Sequence, residues 1–191
     1  MTVLDPSREM LQRAREALSS ESKAVRDQVR LISGRGEDAP RILGRGSFDA
    51  VLCHGVLLYL EDPRPLVRAL AEISRPGAVI SILTKNAGAL ATRPALEGRY
   101  RDAIVAFDSD RDLGRYGAVT RGDTVSELSH MLEGCGVELA RWYGVRVFTD
   151  HLEDHPPGPD LPEILEVEWE AGRRDPYRNV ARLMHVIGRK K

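Results

Sequence analysis

The chain has 191 residues, of which 42% are hydrophobic, so it is long enough for one domain with a substantial buried core. Its 28 basic and 29 acidic residues give a formal net charge of −1, without the basic excess typical of nucleic-acid-binding domains. The apolar stretches are shorter than a membrane span. Charged residues lie where the apolar part of a signal peptide would have to be, so we predict no signal peptide. Two cysteines cannot form a disulfide framework. We therefore expect a globular domain in the reducing cytoplasm, with no membrane segment.

The first residues, MTVLDPSREMLQRA, predict a strand that leads into a helix. Val3 and Leu4 are the apolar end of the strand. Apolar residues then recur at helical spacing, at Met10, Leu11, Ala14 and Leu18. Asp5 lies at the junction, where an acid in an open α/β sheet often binds a ribose, normally about 20 residues after a glycine-rich loop. Only four residues precede Asp5, so the chain has no room for that loop before it.

Strands and helices alternate through the next part of the chain. A short strand over 28–32 is followed by the loop SGRGEDAP, and FDAVLCHGVLLYL then forms a near-continuous apolar run from Phe48. Leu66, Leu70 and Ile73 mark one face of a helix, and AVISIL forms another apolar strand. Apolar runs are typical of strands buried on both faces of a parallel sheet. This order predicts a doubly wound α/β domain.

The second half of the chain departs from this alternation. Residues 85–123 are polar with weak helical patterning, and a helix is predicted over 124–132. A strand over 138–148, the turn HPPGPDLP, a helix over 162–171 and a last strand, LMHVIG, follow. This order favours a closing antiparallel pair of strands over further parallel strand–helix units.

Two stretches of this sequence resemble the class I S-adenosylmethionine-dependent methyltransferases. FDAVLCHGVLLYLEDPRPLVRALAEISRPGAVISIL is similar to the fourth strand, helix and fifth strand of that family, and LDPSREMLQRA is similar to the end of its second strand. Within the superfamily, the tail is similar to the tRNA 5-carboxymethoxyuridine methyltransferases. This similarity rests on Asn86-Ala87, on GVRVF at 144–148, and on EILEVEWEAGRRDPY and LMHVIGRKK.

The resemblance implies a Rossmann-like α/β sheet with a closing antiparallel strand pair, lacking the first strand, the glycine-rich loop and the first helix. We therefore expect residues 1–191 to form a single, N-terminally incomplete methyltransferase domain, and favour a fragment over an adapted minimal enzyme. In the family, the first strand lies at the centre of the sheet, between the second and the fourth. Its absence would leave unpaired backbone groups on two strand edges, which promotes association.

The resemblance also implies the residues that bind S-adenosylmethionine. Asp5 corresponds to the acid that binds the ribose, although an acid at this place also serves as a helix cap. Glu37 and Asp38 lie in the loop that binds the adenine amino group; the alternative is a solvated acidic loop. His54 follows the apolar run and corresponds to a histidine that lines the cofactor site, the alternative being a structural residue held by hydrogen bonds.

Arg146, in GVRVF, is the candidate for binding an anionic group of the methyl acceptor, because this motif borders the acceptor pocket in the relatives. An ion pair with an acid such as Asp175 is an equally good explanation of an arginine in an apolar strand. Residues 93–123 contain six arginines and six acids, so their formal charge is zero. The tRNA-modifying relatives carry a lysine-rich run here, which makes tRNA a weaker prediction than methyl transfer itself.

Two other groupings are poor candidates for chemistry. His151 and His155 have a spacing that suits zinc, but they run into PPGP and no further ligands cluster with them, so we predict no metal site. Cys53 is adjacent to His54, but neighbouring residues of a strand point to opposite faces. A Cys–His nucleophile pair is therefore not expected.

The sequence thus predicts a methyltransferase that moves the methyl group of S-adenosylmethionine to an oxygen or nitrogen acceptor. The carboxylate of a modified tRNA uridine is one such acceptor, and a small acidic metabolite is the alternative. Such enzymes work mainly by proximity and orientation, so we assign no catalytic residue. A non-catalytic binding module and a nucleotide-dependent oxidoreductase are the alternatives from other functional classes. The sequence leaves the oligomeric state open.

Overall fold

The computed structural model describes residues 1–114, 117–152 and 158–191. The strands are β1 (Thr2–Asp5), β2 (Arg30–Ser33), β3 (Phe48–His54), β4 (Ser74–Lys85), β5 (Arg111–Leu113), β6 (Val119–Arg121), β7 (Val137–Val145) and β8 (Leu183–Lys190). The helices are α1 (Arg8–Ser19), α2 (Lys23–Arg26), α3 (Ala39–Leu43), α4 (Arg64–Ile73), α5 (Thr92–Leu96), α6 (Tyr100–Ala106), α7 (Val125–Glu133) and α8 (Leu161–Gly172).

The elements predicted from the sequence are confirmed to within a few residues at most of their ends. The stretch 85–123, which shows only weak helical patterning, forms α5, α6 and the hairpin of β5 and β6. Part of the proline-rich turn lies outside the described residues. The helix predicted over 124–132 begins with a capping box, in which the Thr124 hydroxyl accepts from the backbone N–H of Glu127 and the Glu127 carboxylate accepts from that of Thr124.

Two sheets form the framework. Strands β1 and β2 pair in parallel, with Val3 opposite Leu31. The second sheet has the order β3-β4-β8-β7, in which β3 and β4 are parallel and β8 is antiparallel to both β4 and β7. The closing antiparallel pair predicted from the sequence is therefore confirmed as β7 and β8.

The place expected for a central strand lies between β1 and β3. Within the described residues, β1 pairs only with β2 and β3 pairs only with β4, so each has one unpaired edge. The first sheet is joined to the second by packing at the turn after β2. Gly36 lies so close to α4 that a Cβ there would be 2.5 Å from Leu66, and Leu4 and Leu43 pack against the main core.

The main core lies on one face of the larger sheet. Ile80 and Ile82 of β4 alternate with residues of the other face, and they pack with Met184 and Val186 of β8 beneath α4 and α7. The opposite face is more open, as Leu52 of β3 is 67% exposed. Helices α4 and α7 therefore cover one face of this sheet, whereas part of the other face is exposed to solvent.

The last residue of α8, Gly172, lies in close contact with Gly144 of β7. A Cβ on Gly172 would lie 2.3 Å from the carbonyl oxygen of Gly144 in β7. This distance is far shorter than a van der Waals contact. The carbonyl oxygen belongs to the backbone and the position of a Cβ is fixed by the backbone, so neither atom can rotate away.

We expect Gly172→Ala to lower the free energy of unfolding by about 2 kcal/mol, since overpacked sites must shift backbone to fit one extra methyl group. Urea unfolding measures the change. Gly134→Ala is the matched control, because its Cβ would lie 3.4 Å from the nearest atom, an ordinary contact. Equal stability of the two variants would contradict the close contact of α8 with β7.

We also expect the chain to associate in solution through the unpaired edges of β1 and β3, since exposed strand edges are templates for pairing. Sedimentation velocity over a range of concentrations tests this. A monodisperse monomer with a cooperative thermal transition would show that these edges are protected.

Candidate functional site

Asp5 is the last residue of β1 and is half-buried. One of its carboxylate oxygens, Oδ1, accepts a hydrogen bond of 2.7 Å from the backbone N–H of Ser7. The helix cap is Ser7, whose hydroxyl accepts from the backbone N–H of Met10 at 3.2 Å. Among the described residues, nothing donates to the other oxygen of Asp5, so that oxygen can accept hydrogen bonds from a ligand.

Glu37 and Asp38 lie in a short 3₁₀ turn, Gly36–Asp38, that follows β2. Asp38 pairs with Arg41 at 3.2 Å, and Glu37 pairs with Arg35 at 3.4 Å. A hydrogen bond from its own backbone N–H, with help from Arg35, lowers the pKa of Glu37. An ionised Glu37 is a pure acceptor, which suits an exocyclic amine.

His54 ends β3 and is exposed, whereas the preceding Cys53 is only 5% exposed and points into the core. Burial raises the pKa of the Cys53 thiol to about 12. The expectation that these two residues form no nucleophile pair is consistent with this placement. The Nε2 atom of His54 lies 2.8 Å from the Ser81 hydroxyl, which in turn lies 2.7 Å from Nε2 of His185.

Arg146 lies just beyond β7, which ends at Val145, so its placement within an apolar strand is wrong. Its φ is 62°, a left-handed conformation that is rare for residues other than glycine and is common at functional sites. Its Nε lies 3.3 Å from Asp150. The suggested partner Asp175 is also wrong: it pairs with Arg178 at 2.6 Å, because both lie in the turn after α8.

Asp150 collects three guanidinium groups. Besides Arg146, two other arginines lie near its Oδ2, Arg182 through Nε at 3.6 Å and Arg93 through Nη1 at 3.9 Å. Asp150 is 7% exposed, and this Oδ2 has no hydrogen-bond partner within the described part of the chain. Arg93 also pairs with Glu97, and Arg182 also pairs with Asp112, whereas Asp150 is the partner of Arg146 among the described residues. Arg93, Arg146, Asp150 and Arg182 together form the arginine cluster.

A second buried ion pair lies beside this arginine cluster. Lys85, at the end of β4, is 4% exposed, and its Nζ lies 3.2 Å from Asp112 and donates to Thr120. Arg182 also binds Asp112, at 2.8 Å. Burial and the Arg182 charge lower the pKa of Lys85. Burial acts to raise the pKa of Asp112, but Arg182 and Lys85 outweigh it, so this pKa is lowered.

A cavity of about 390 Å³ adjoins both charged groups. Arg93, Arg182 and Asp112 line it together with apolar side chains such as Leu90 and Val105 of the α5–α6 segment. Among the charged residues in and beside this cavity, sequence reasoning singled out Arg146 but missed Lys85, Asp150 and Arg182. The only available signal was a lysine that directly follows the buried run AVISILT.

The described residues contain neither a metal centre nor a helix suited to cross a membrane. Within the described residues, no three side chains of the metal-binding types come together. His155, one of the two histidines considered for zinc, lies outside those residues. No helix in the described part of the chain has the length and apolar character needed to cross a bilayer.

We expect Asp112→Asn to lower the free energy of unfolding at pH 7 by about 3 kcal/mol, because it leaves the Lys85 cation buried without its partner. Since the pKa of Asp112 is lower in the folded state, its contribution is present above the unfolded pKa and is lost as the pH falls through the folded pKa. Urea unfolding at pH 7 and at acid pH measures both effects.

Asp102→Asn is the matched control for that measurement. Asp102 is 62% exposed and pairs with Arg99 on the surface, so its loss is expected to cost less than about 1 kcal/mol. If the two variants lose equal stability, Asp112 does not anchor the β5–β6 hairpin.

Comparison with known proteins gives consistent matches. Residues 1–80 match the family described as "Methyltransferase domain". The tRNA 5-carboxymethoxyuridine methyltransferase of Escherichia coli strain K12, like that of strain O157:H7, is 30% identical over 187 residues, which is 97% of this chain and 70% of that protein.

Solved structures agree at the level of the fold. An S-adenosylmethionine-dependent methyltransferase from Methanosarcina mazei is 16% identical, with a TM-score of 0.63 over 99% of this chain and 81% of that one. Another from Mesorhizobium loti is 20% identical, with a TM-score of 0.63 over 99% of this chain and 79% of that one. On this evidence the chain belongs to the family of S-adenosylmethionine-dependent methyltransferases.

Proposed function

We propose that this methyltransferase transfers the methyl group to a carboxylate oxygen, and that the carboxylate belongs to a modified uridine of tRNA. The observation that carries the proposal is the arginine cluster, in which Arg93 and Arg182 line the cavity of about 390 Å³ and Arg146 is joined to them through Asp150. The similarity to the tRNA 5-carboxymethoxyuridine methyltransferases over 97% of this chain supports the same acceptor.

The described residues fit the cofactor in chemical terms. S-adenosylmethionine, when bound, supplies an electrophilic methyl group on a sulfonium. Asp5 would accept hydrogen bonds from the ribose through the oxygen to which no described residue donates, and Glu37 and Asp38 would accept from the adenine amine. His54 would contact the cofactor from the carboxyl end of β3, the end at which open α/β sheets place their ligands.

Methyl transfer to a carboxylate requires mainly that the carboxylate be held in the correct orientation. A carboxylate is ionised at neutral pH, so no general base is needed to make it a nucleophile. What the chain supplies is a fixed position for that anion, and a guanidinium can hold a carboxylate through two parallel hydrogen bonds. Arg146, whose side chain is 43% exposed, is the member of the arginine cluster most open to a ligand.

A small acidic acceptor is the second candidate, and the pairing of the arginines in residues 93–123 favours it. Arg93 binds Glu97 at 2.7 Å, and Arg99 binds both Glu97 and Asp102. Arginines that are already paired contribute little to the phosphate contacts from which most nucleic-acid affinity comes. A cavity of this size also accommodates a small molecule.

Nucleoside mass spectrometry of tRNA from a deletion strain distinguishes the two acceptors. We expect the methyl ester on a carboxylate-bearing wobble uridine to disappear and to return when the gene is supplied. A gene that encodes the Arg146→Ala variant is expected to restore far less of the methyl ester, because the variant lacks the guanidinium that orients the acceptor. Unchanged nucleosides in the deletion strain would reject the tRNA acceptor and leave the small acid.

Asp5→Asn tests the cofactor site. The substitution keeps an oxygen that can accept from Ser7 but removes the charge, so we expect S-adenosylmethionine to bind about 1 to 3 kcal/mol more weakly. Isothermal titration calorimetry measures this. Asp27→Asn, which changes an exposed pair with Lys23 in α2, is the control. Equal affinity of both variants would leave Asp5 with a structural role only.

A further inference from the structure

Three polar side chains form a continuous hydrogen-bonded row on the open face of the larger sheet. His54 of β3, Ser81 of β4 and His185 of β8 come from different strands, and Ser81 Oγ lies between the two Nε2 atoms at 2.8 and 2.7 Å. The imidazole centroids are 5.3 Å apart with the rings nearly perpendicular. The sheet register produces this row, since Leu83 of β4 stands opposite both His54 and His185.

The protons in this row are coupled. A serine hydroxyl has one proton, so between two ring nitrogens it donates to one and accepts an N–H from the other. When both imidazoles are neutral, one Nε2 therefore carries a proton and the other does not. The tautomer of one histidine determines that of the other.

The surroundings of the two histidines are unequal. Tyr143 of β7 packs against His185 and stacks on Trp169 of α8 at 5.6 Å. Burial lowers the pKa of His185, and a positive charge on His54 lowers it further. His54 is exposed at the end of β3, so it is the histidine of the row that a ligand can reach.

Other ionisable groups near the row are committed elsewhere. On β4, Lys85 is bound to Asp112, and on β3 the Cys53 thiol lies on the core face. On β8, Arg189 donates to the backbone carbonyl of Gly77. The titratable or charged residues that β7 places opposite β8 are Glu138, Arg141 and Tyr143, of which Tyr143 stands opposite His185 and Glu138 opposite Arg189. In the described part of the chain, no carboxylate forms an ion pair with either imidazole.

We propose that Ser81 and His185 are positioning residues for His54, fixing the tautomer and the ring orientation with which it meets S-adenosylmethionine. Since the row engages Nε2 of His54, Nδ1 is the ring atom left for the cofactor, and no described residue bonds to it. This inference rests on the proposed role of His54 at the cofactor site.

Nitrogen-15 NMR of the imidazole rings in the full chain tests the coupling without any ligand. We expect the neutral histidines to show opposite tautomers, and we expect His54→Phe to change the ring nitrogen signals of His185. Ser81→Ala should return both rings to the tautomer mixture of a free imidazole, whereas Ser81→Thr, which keeps the hydroxyl, should preserve the pattern. His54→Phe and His185→Phe assign the signals. Unchanged tautomers in Ser81→Ala would overturn the proposal.

Calorimetric titration with S-adenosylmethionine tests the consequence. We expect Ser81→Ala to raise Kd roughly three- to tenfold, the effect of losing one hydrogen bond, and to change its pH dependence across the histidine range. Ser81→Thr should bind like the parent chain. Tautomers that respond while Kd does not would also overturn the proposal. If the parent chain fails to bind the cofactor, the proposed function fails, and the NMR result still decides whether the row exists.

Discussion

The antiparallel register of β4 against β8 is the constraint on which the rest of the site depends. It places Leu183 opposite Lys85, so that Arg182 arrives at the end of β4, close enough to bind Asp112 together with Lys85. The same register brings His185 within hydrogen-bond distance of Ser81 on the open face of the sheet. It also buries Ile82 and Val186 on the other face. A shift by one residue would exchange the two faces and destroy both arrangements.

The buried charges of this protein are held in pairs and clusters rather than singly. Asp112 joins Lys85 of β4 and Arg182 of β8 to the β5–β6 hairpin, which fixes the segment that covers the cavity. Asp150 plays a comparable part for the three arginines around it, two of which have a second acidic partner in Glu97 or Asp112. Arg146 has Asp150 as its partner among the described residues.

Most of the fold was predictable because its signals are local. The apolar runs that begin at Phe48 and Ala78 indicate buried strands, and the helical spacing of Leu66, Leu70 and Ile73 indicates α4. Asp5 and His54 could be predicted as site residues for the same reason. Each directly follows the apolar residues of a strand, and the carboxyl end of a strand is where open α/β sheets bind their ligands. Residues 85–123 were poorly predicted because their helices are short and the two strands of their hairpin have only three residues each. Elements of this length show little periodicity of apolar residues.

By itself, the sequence determined the order of the strands and helices, the family resemblance and the candidate acids Asp5, Glu37 and Asp38. Only the tertiary structure decided which charges meet. Arg146 pairs with Asp150 instead of Asp175, and Arg182 joins Asp112, which is 70 residues away along the chain. His54 and His185 share one hydroxyl although they lie on different strands. Such contacts follow from the sheet register and from the paths of the loops that bring distant residues together. Both depend on the packing of the whole chain and leave no pattern in any one stretch of the sequence.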